Sequence, residues 1–418
     1  MRLGRHCKTI LFVTALVIVS AAETLSQEDC KDRAKRPATE LGMLFQVGQT
    51  ITSLENPRPV SQPNARYIRV RLKVTNVASC DWTITLRDQE YRVVQTISQD
   101  DFCDRNGNCA DGSIWTTRVD GATAFVDFHR CDAGDRSPSV KVEEYIAMPK
   151  TVNNPFYSTQ SVIPNWSPLY STDNKFRRWG DYVGLMIASW NRQHWSCSGV
   201  LVADNLFLTN WHCGGIKELS EEGYWHPLIV NDVIIDLSWD DDKISRDYVA
   251  TRVVDKSPEF DFALLEIKPI TSLGKARAAS VNLTPGGDVW IIHHPLAEQK
   301  RISACTVVNE SQSGWRPRSG KSDFTHQCDT EGGSSGAPVF NSRGEVVGLH
   351  HRGFDLDDNC EPTGTRLNKA VRMDAIINYL CASEKGRPFA EKILKRSCPA
   401  PTASEGERIL APLSSYQP

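Results

Sequence analysis

The sequence predicts an all-β protein of two unequal units, a small β-sandwich followed by a larger strand-rich domain that closes on a helix. Three observations carry that prediction. Ile68, Val70, Leu72 and Val74 alternate with Arg69, Arg71 and Lys73, and Trp82, Ile84 and Leu86 alternate with Thr83, Thr85 and Arg87. A period of two means strands with one buried face. Further on, short apolar runs break at turn residues, as in Val200-Leu-Val-Ala-Asp-Asn-Leu-Phe-Leu208, and between the two regions residues 151–178 hold Pro155, Pro164 and Pro168 among Ser, Thr and Asn, the composition of a boundary.

Taken in order, residues 1–22 carry Arg2, Arg5 and Lys8, an apolar run from Ile10 to Ser20, and Ser20-Ala21-Ala22. That is the build of an export signal cut after Ala22, with an apolar run too short to span a bilayer comfortably. The protein is expected to be secreted, extracellular or periplasmic. The 418 residues, 24% of them charged, leave room for two domains with cores of their own, and a net charge of −3 argues against a nucleic-acid surface or a membrane attachment once the signal is gone. Of 13 cysteines, Cys7 leaves with the signal, so an even set enters an oxidising compartment. Cys30, Cys80, Cys103, Cys109 and Cys131 lie in the first region and Cys197, Cys213, Cys305, Cys328, Cys360, Cys381 and Cys398 in the second. Both groups are odd in number, so complete pairing requires a bridge between the regions. No Cys-x-x-Cys pair has zinc-like spacing.

Residues 23–60 are polar, end in Asn56-Pro-Arg-Pro59, and read as a lead-in. Residues 61–150 read as the sandwich, with further strands at Ala122–Phe128 and Val140–Ile146 and a turn at Cys103-Asp-Arg-Asn-Gly-Asn-Cys109. Its role stays open between a carbohydrate- or surface-binding module, part of a prosegment, and scaffolding. Arg177-Arg178 is a dibasic site at which a zymogen could be processed.

Two stretches of the second region carry chemistry. In Cys328-Asp-Thr-Glu-Gly-Gly-Ser-Ser-Gly-Ala-Pro338 the glycines permit a tight turn whose amides point inward, so that the N–H groups of Gly333 and Ser335 converge on a developing oxyanion while Ser335 attacks. A serine hydroxyl needs a base, and the base needs an orienting group. His212 ends a strand–turn–strand unit, Cys197 to Cys213, that a bridge between these two cysteines would fix. Asp261 opens the apolar strand Phe262-Ala-Leu-Leu-Glu-Ile267, where a carboxylate without a partner would be costly. His212 is the natural partner of Asp261, and Asp236, Asp255 and Glu259 are weaker competitors for Asp261's role, since none begins a comparable apolar strand. Gly332-Gly-Ser-Ser-Gly336 also fits G-x-S-x-G, which would make Ser334 the nucleophile of an α/β-hydrolase elbow, but in that fold the Asp and His follow the Ser, and no His lies beyond His351. The pairs His293-His294 and His350-His351 cannot chelate one ion as dipeptides, because neighbours on a strand face opposite ways. Neither a metal nor a cofactor is expected.

From Val183 to Ala382 the chain resembles trypsin-like serine proteases, nearest the lysyl endopeptidase and glutamyl endopeptidase (V8-like) branches. The resemblance rests on Cys197–Cys213, Asp261–Glu266, His293-His-Pro295 with Lys300–Ser303, Gly333–Pro338 and Val346–Gly353. It implies two six-stranded β-barrels over residues 179–385, a triad of His212, Asp261 and Ser335, protein or peptide substrates, and a closing helix over 368–382 with Met373, Ile376, Ile377 and Leu380 on one face. Residues 386–418 would be a tail. Asp329 falls where such proteases place a determinant for Arg and Lys; Thr330 with His350 matches the pair that glutamyl endopeptidases use on an acidic P1 residue; His351 and Gly353 fall at pocket positions of the lysyl branch. Between these, the expectation leans to a basic P1 residue, Lys or Arg. Pairs Cys197–Cys213, Cys305–Cys328 and Cys381–Cys398 would leave Cys360 to bridge to Cys30 or Cys131, as lysyl endopeptidases tie their N-terminus. The rival from another class is a non-catalytic protease-like protein that only binds peptides.

Overall fold

A computed structural model describes residues 39–40, 43–51, 58–76, 82–102, 112–129, 139–149, 165–191, 193–216, 219–240, 246–270, 278–354 and 366–398. The expected signal segment, the Cys103–Cys109 turn and Cys30, Cys80, Cys131 and Cys360 lie outside the described residues.

The first region is a two-sheet sandwich. One sheet runs Met43–Ile51, Ser139–Pro149, Ala65–Asn76, Ser113–Trp115, with Val119–Asp120 also on Ala65–Asn76; the other runs Arg58–Ser61, Thr123–His129, Thr83–Arg87, Val93–Ser98. Ile68, Val70, Leu72, Ile84, Leu86, Ile97, Val126 and Val142 fill the space between the sheets. The sandwich therefore starts earlier than 61. Met43–Ile51 is a strand because Ser139–Pro149 pairs along it, and Arg58–Ser61 holds Pro59 on an edge, where proline's missing N–H costs no ladder bond. Thr39–Glu40 reaches further and pairs with Ser196 and Trp195 of the second region.

The second region is two closed barrels. Six strands, Val183–Trp190, Gln193–Ala203, Leu206–Thr209, Ile234–Asp236, Asp247–Ser257 and Phe262–Pro269, form the first, closed by Leu206–Thr209 pairing on both sides. Asp288–His293, Arg301–Gln312, Asp323–His326, Pro338–Phe340, Val346–Arg352 and Asn368–Arg372 form the second, closed through Asp323–His326. Val200, Leu208, Phe262 and Leu264 from one barrel meet Ile292, Phe340, Leu349 and Val371 from the other in a continuous core.

Three boundaries shift. Residues 151–178 contain more than linker: Ser167–Pro168 pairs with the second barrel, and Arg177-Arg178 lies inside the helix Asn174–Gly180. Asn368–Arg372 is the last barrel strand and not the start of the closing helix, which spans Met373–Ala382 and buries Met373, Ile376, Ile377 and Leu380 as its spacing predicts. The segment after 386 is not a bare tail: the helix Arg387–Leu394 buries Ala390 and Ile393 in the same core, and Cys398 is bonded to Cys381. Among the described residues no helix is long and apolar enough to cross a membrane.

Candidate active site

His212 leaves the strand Leu206–Thr209 on a single 3-10 turn, His212–Gly214, locked from several sides. Cys213 is bonded to Cys197 on the neighbouring strand, the Trp195 indole donates to the Cys213 carbonyl (2.7 Å), and the Trp225 indole donates to the Trp211 carbonyl (2.7 Å). Gly214 is required here, since a Cβ would lie 2.2 Å from the Trp225 ring.

Asp261 stands at the mouth of the strand Phe262–Pro269 in a left-handed conformation (φ +45), uncommon for a residue with a side chain. Its carbonyl accepts from Asn210 Nδ2 at 2.8 Å, its Oδ1 from the His212 backbone N–H at 3.0 Å, and its Oδ2 from His212 Nδ1 at 2.8 Å. The carboxylate thus grips its histidine by ring and backbone together. Burial alone would raise its pKa, but His212 and then His351 favour the ionised form and hold it at about 2. Asp236 and Asp255 are engaged elsewhere, Asp236 by Arg69 and Arg118 and Asp255 by Ser383.

His351 is the partner that sequence reasoning placed differently. Expected at the pocket wall, it lies in the core with Nδ1 3.2 Å from Asp261 Oδ2 and Nε2 2.9 Å from Asp323 Oδ2. The pairing of Val346–Arg352 with Asn368–Arg372 is irregular between His350 and Arg352, and the His351 ring is held by two carboxylates. With both nitrogens donating, the ring is an imidazolium. Burial opposes that charge, but the two carboxylates outweigh it and raise the pKa to about 9. Trp315 presents its ring edge-on to both His212 (6.1 Å) and His351 (6.5 Å). Neither Asp323 nor Trp315 belongs to a motif legible in the sequence.

The loop carrying Ser335 is tied across both barrels. Ser335's carbonyl accepts from Ser198 N (2.7 Å), Gly333's from Ser198 Oγ (2.9 Å), and Gly336 N donates to the His350 carbonyl (2.8 Å). Gly333 and Gly336 have φ +90 and +84, and a Cβ on Gly336 would lie 2.1 Å from the Ser198 carbonyl. Among the described residues neither the Gly333 nor the Ser335 N–H donates to a protein acceptor. Donors left without a protein acceptor on either side of the buried Ser334 are what an oxyanion site requires. Ser335's carbonyl is 3.9 Å from Cys213 Sγ, one residue from His212, while the Ser335 hydroxyl makes no hydrogen bond to the His212 ring. Ser334, the rival nucleophile, is fully buried, its Oγ 2.7 Å from His293 Nδ1 and accepting from Glu331 N at 3.0 Å.

Asp329 and Thr330 precede this loop in the chain, and the His350 carbonyl is tied to it through the Gly336 N–H. Asp329 N donates to Ser303 Oγ at 3.1 Å; its Oδ2 accepts from the Asn165 amide at 2.5 Å, its Oδ1 is buried without a partner, and burial raises its pKa. Asn368 Nδ2 donates to the Cys328 carbonyl (2.7 Å) and to Thr330 Oγ1 (3.0 Å). His350 Nδ1 lies 3.3 Å from His326 Nε2, and burial first, then neighbouring histidines, push its pKa well below the usual value, so it is neutral. Gly353, just past the strand end, is partly exposed. The groupings Cys197–His212–Cys213 and Cys305–His326–Cys328 resemble ligand sets, but their sulfurs are spent in the Cys197–Cys213 and Cys305–Cys328 bridges and offer no thiolate to a metal.

Two closed barrels meeting at a His–Asp pair define a chymotrypsin-like fold. Over residues 197–349 the chain matches the family model of the trypsin-like peptidase domain, a match that supports a serine peptidase. A solved structure of Rv3671c from M. tuberculosis H37Rv, an inactive serine-to-alanine mutant, matches at 15% identity over 50% of this chain and 90% of that chain with a TM-score of 0.35, and no argument rests on it.

Proposed function

We propose that the protein is a secreted serine endopeptidase that hydrolyses peptide bonds through an acyl-enzyme. Ser335 attacks the carbonyl carbon, and His212 takes the hydroxyl proton and returns it to the leaving amine. Asp261 holds the imidazole's tautomer and stabilises the imidazolium, and the Gly333 and Ser335 amides receive the oxyanion. Water then repeats the sequence in Ser335's place. The observation that carries this reading is the conjunction at one seam of a histidine gripped by a buried carboxylate and a serine loop whose two amides have no protein acceptor. A binding module needs neither feature, which weighs against the non-catalytic alternative.

The P1 residue is proposed to be charged. Asp329's unpartnered buried oxygen favours Lys or Arg. One observation favours an acidic P1 instead: Thr330 Oγ1 already accepts from Asn368, so its own proton is free to donate toward a ligand beside neutral His350. Asn368's orientation is itself fixed, since only its N–H₂ can face the Cys328 carbonyl. Cleavage of a peptide library decides between them: cuts after Lys/Arg or after Glu identify the pocket, and absence of any cleavage by mature, oxidised protein contradicts the endopeptidase reading. Secretion is supported by the composition of residues 1–22 and by the bridges Cys197–Cys213, Cys305–Cys328 and Cys381–Cys398, which suit an oxidising compartment.

A further inference from the structure

The sandwich and the first barrel meet through charges buried as deeply as any in the molecule. Arg69 Nη2 donates to Asp236 Oδ2 (2.7 Å) and Asp247 Oδ1 (2.6 Å), Arg118 Nη1 donates to Asp236 Oδ2, and Thr117 Oγ1 donates to Asp247 Oδ2. Asp236 and Asp247 face each other across paired strands of the barrel, and among the described residues Arg69 and Arg118, which form ion pairs with them, both come from the sandwich. Around this quartet Tyr67, Trp115, Ile146 and Met148 pack against Leu185, Ile187, Ile234 and Trp239. Without the sandwich, the barrel would present an apolar patch to water around two carboxylates that have lost their cations, and exposing such a patch is costly.

The same interface leads to the serine loop. Trp239 has Tyr67 edge-on at 5.2 Å and Arg118 over its face at 4.6 Å; its indole N–H donates to the Ala297 carbonyl at 3.1 Å. Leu296 and Ala297 are both left-handed (φ +52), a conformation that side-chain-bearing residues keep only when neighbours enforce it, and Leu296 N donates to the Gly332 carbonyl at 2.7 Å. The Gly332 carbonyl and the Gly333 N–H belong to one peptide plane, so the bond that holds the first aims the second. Among the described residues no hydrogen bond, ion pair or ring contact joins the sandwich to His212, Asp261, Ser335, Thr330 or His350.

We propose that residues 43–149 are a retained intramolecular activating domain, docked by the Arg69/Arg118–Asp236/Asp247 quartet and holding the Gly332–Gly333 peptide in its working orientation through Trp239, Ala297 and Leu296. The activating half rests on the proteolytic reading; the docking half does not. Docking is tested on the full chain with Cys360→Ala, which removes the bridge expected to reach the N-terminal region, and with a specific protease site inserted between Asn154 and Pro155, cut after folding. The two pieces elute together in size-exclusion chromatography at 1 M salt, and Arg69→Met, or the milder Arg118→Ala if the former does not fold, weakens their association at least about 100-fold. Separation of the unsubstituted pieces, or undiminished association in both variants, overturns the docking. Activation is tested with Trp239→Phe in the uncut chain, which keeps the ring and loses the N–H. The expected result is a roughly 10-fold lower kcat per titrated active site, with KM and Tm nearly unchanged. A lower Tm with unchanged kcat makes the contact merely structural and overturns the activating role. A wild-type chain that never acylates sinks the proteolytic reading and this half with it, while co-elution of the pieces still decides the docking.

Discussion

The rings of His212 and His351 share one oxygen: both Nδ1 atoms reach Asp261 Oδ2, at 2.8 and 3.2 Å. Because His351 also donates to Asp323, Asp261 sits within a buried row of alternating charge, Asp323, His351, Asp261. The imidazolium offsets part of the charge that Asp261 would otherwise direct at His212, and it fixes the oxygen that His212 must find.

Removing that cation leaves two buried carboxylates facing a gap. His351→Leu, close in volume but without a donor, is expected to destabilise the fold by ~3–5 kcal/mol, read from urea unfolding. A loss below about 1 kcal/mol would mean that the row is not held as described.

The contribution depends on pH in a defined direction. His351's pKa rises from 6.5 to about 9 on folding, so its stabilisation is complete below 6.5 and disappears as pH climbs through 9. Asp261's pKa falls from 3.8 to about 2, so its share is complete above 3.8 and vanishes as pH drops through 2. The stability difference between wild type and His351→Leu is therefore largest between these limits and shrinks by pH 10. A difference that grew with alkaline pH would contradict the imidazolium.

Ser334→Ala should leave acylation within about 10-fold of wild type while costing ~1–3 kcal/mol of stability, because it strands His293 Nδ1 and the Glu331 amide. Activity lost as completely as with Ser335→Ala would return Ser334 to candidacy as nucleophile.

The two pocket readings separate by substitution. Asp329→Asn is expected to reduce cleavage after Lys and Arg by about 100-fold or more if that carboxylate receives P1, whereas Thr330→Val does the same to cleavage after Glu if the hydroxyl is the donor. Whichever variant leaves the peptide-library profile unchanged removes its residue from the pocket.

Much of this site was legible because chemistry confines it to compact motifs. A serine turn that needs glycines, a histidine pinned by a bridge and an aspartate opening an apolar strand each leave a local mark. The Arg69 quartet leaves none. Period-two reasoning assigns Arg69, Arg71 and Lys73 to a solvent face, and Arg69 is instead wholly buried, because a second domain covers the face that alternation takes to be wet. Asp323 and Trp315 were hidden for a related reason: closing the second barrel brings Asp323 to His351 across 28 residues, a proximity that no local spacing encodes. The strand Met43–Ile51 was passed over because its partner lies roughly a hundred positions away and polar residues surround it.

The most direct test is mass-spectrometric mapping of a fluorophosphonate adduct on the mature, oxidised protein. A single adduct on Ser335, absent in Ser335→Ala and formed at least about 1,000-fold more slowly in His212→Ala, is the predicted result. A folded protein that takes no adduct, or that takes one at a rate indifferent to His212, would contradict the account.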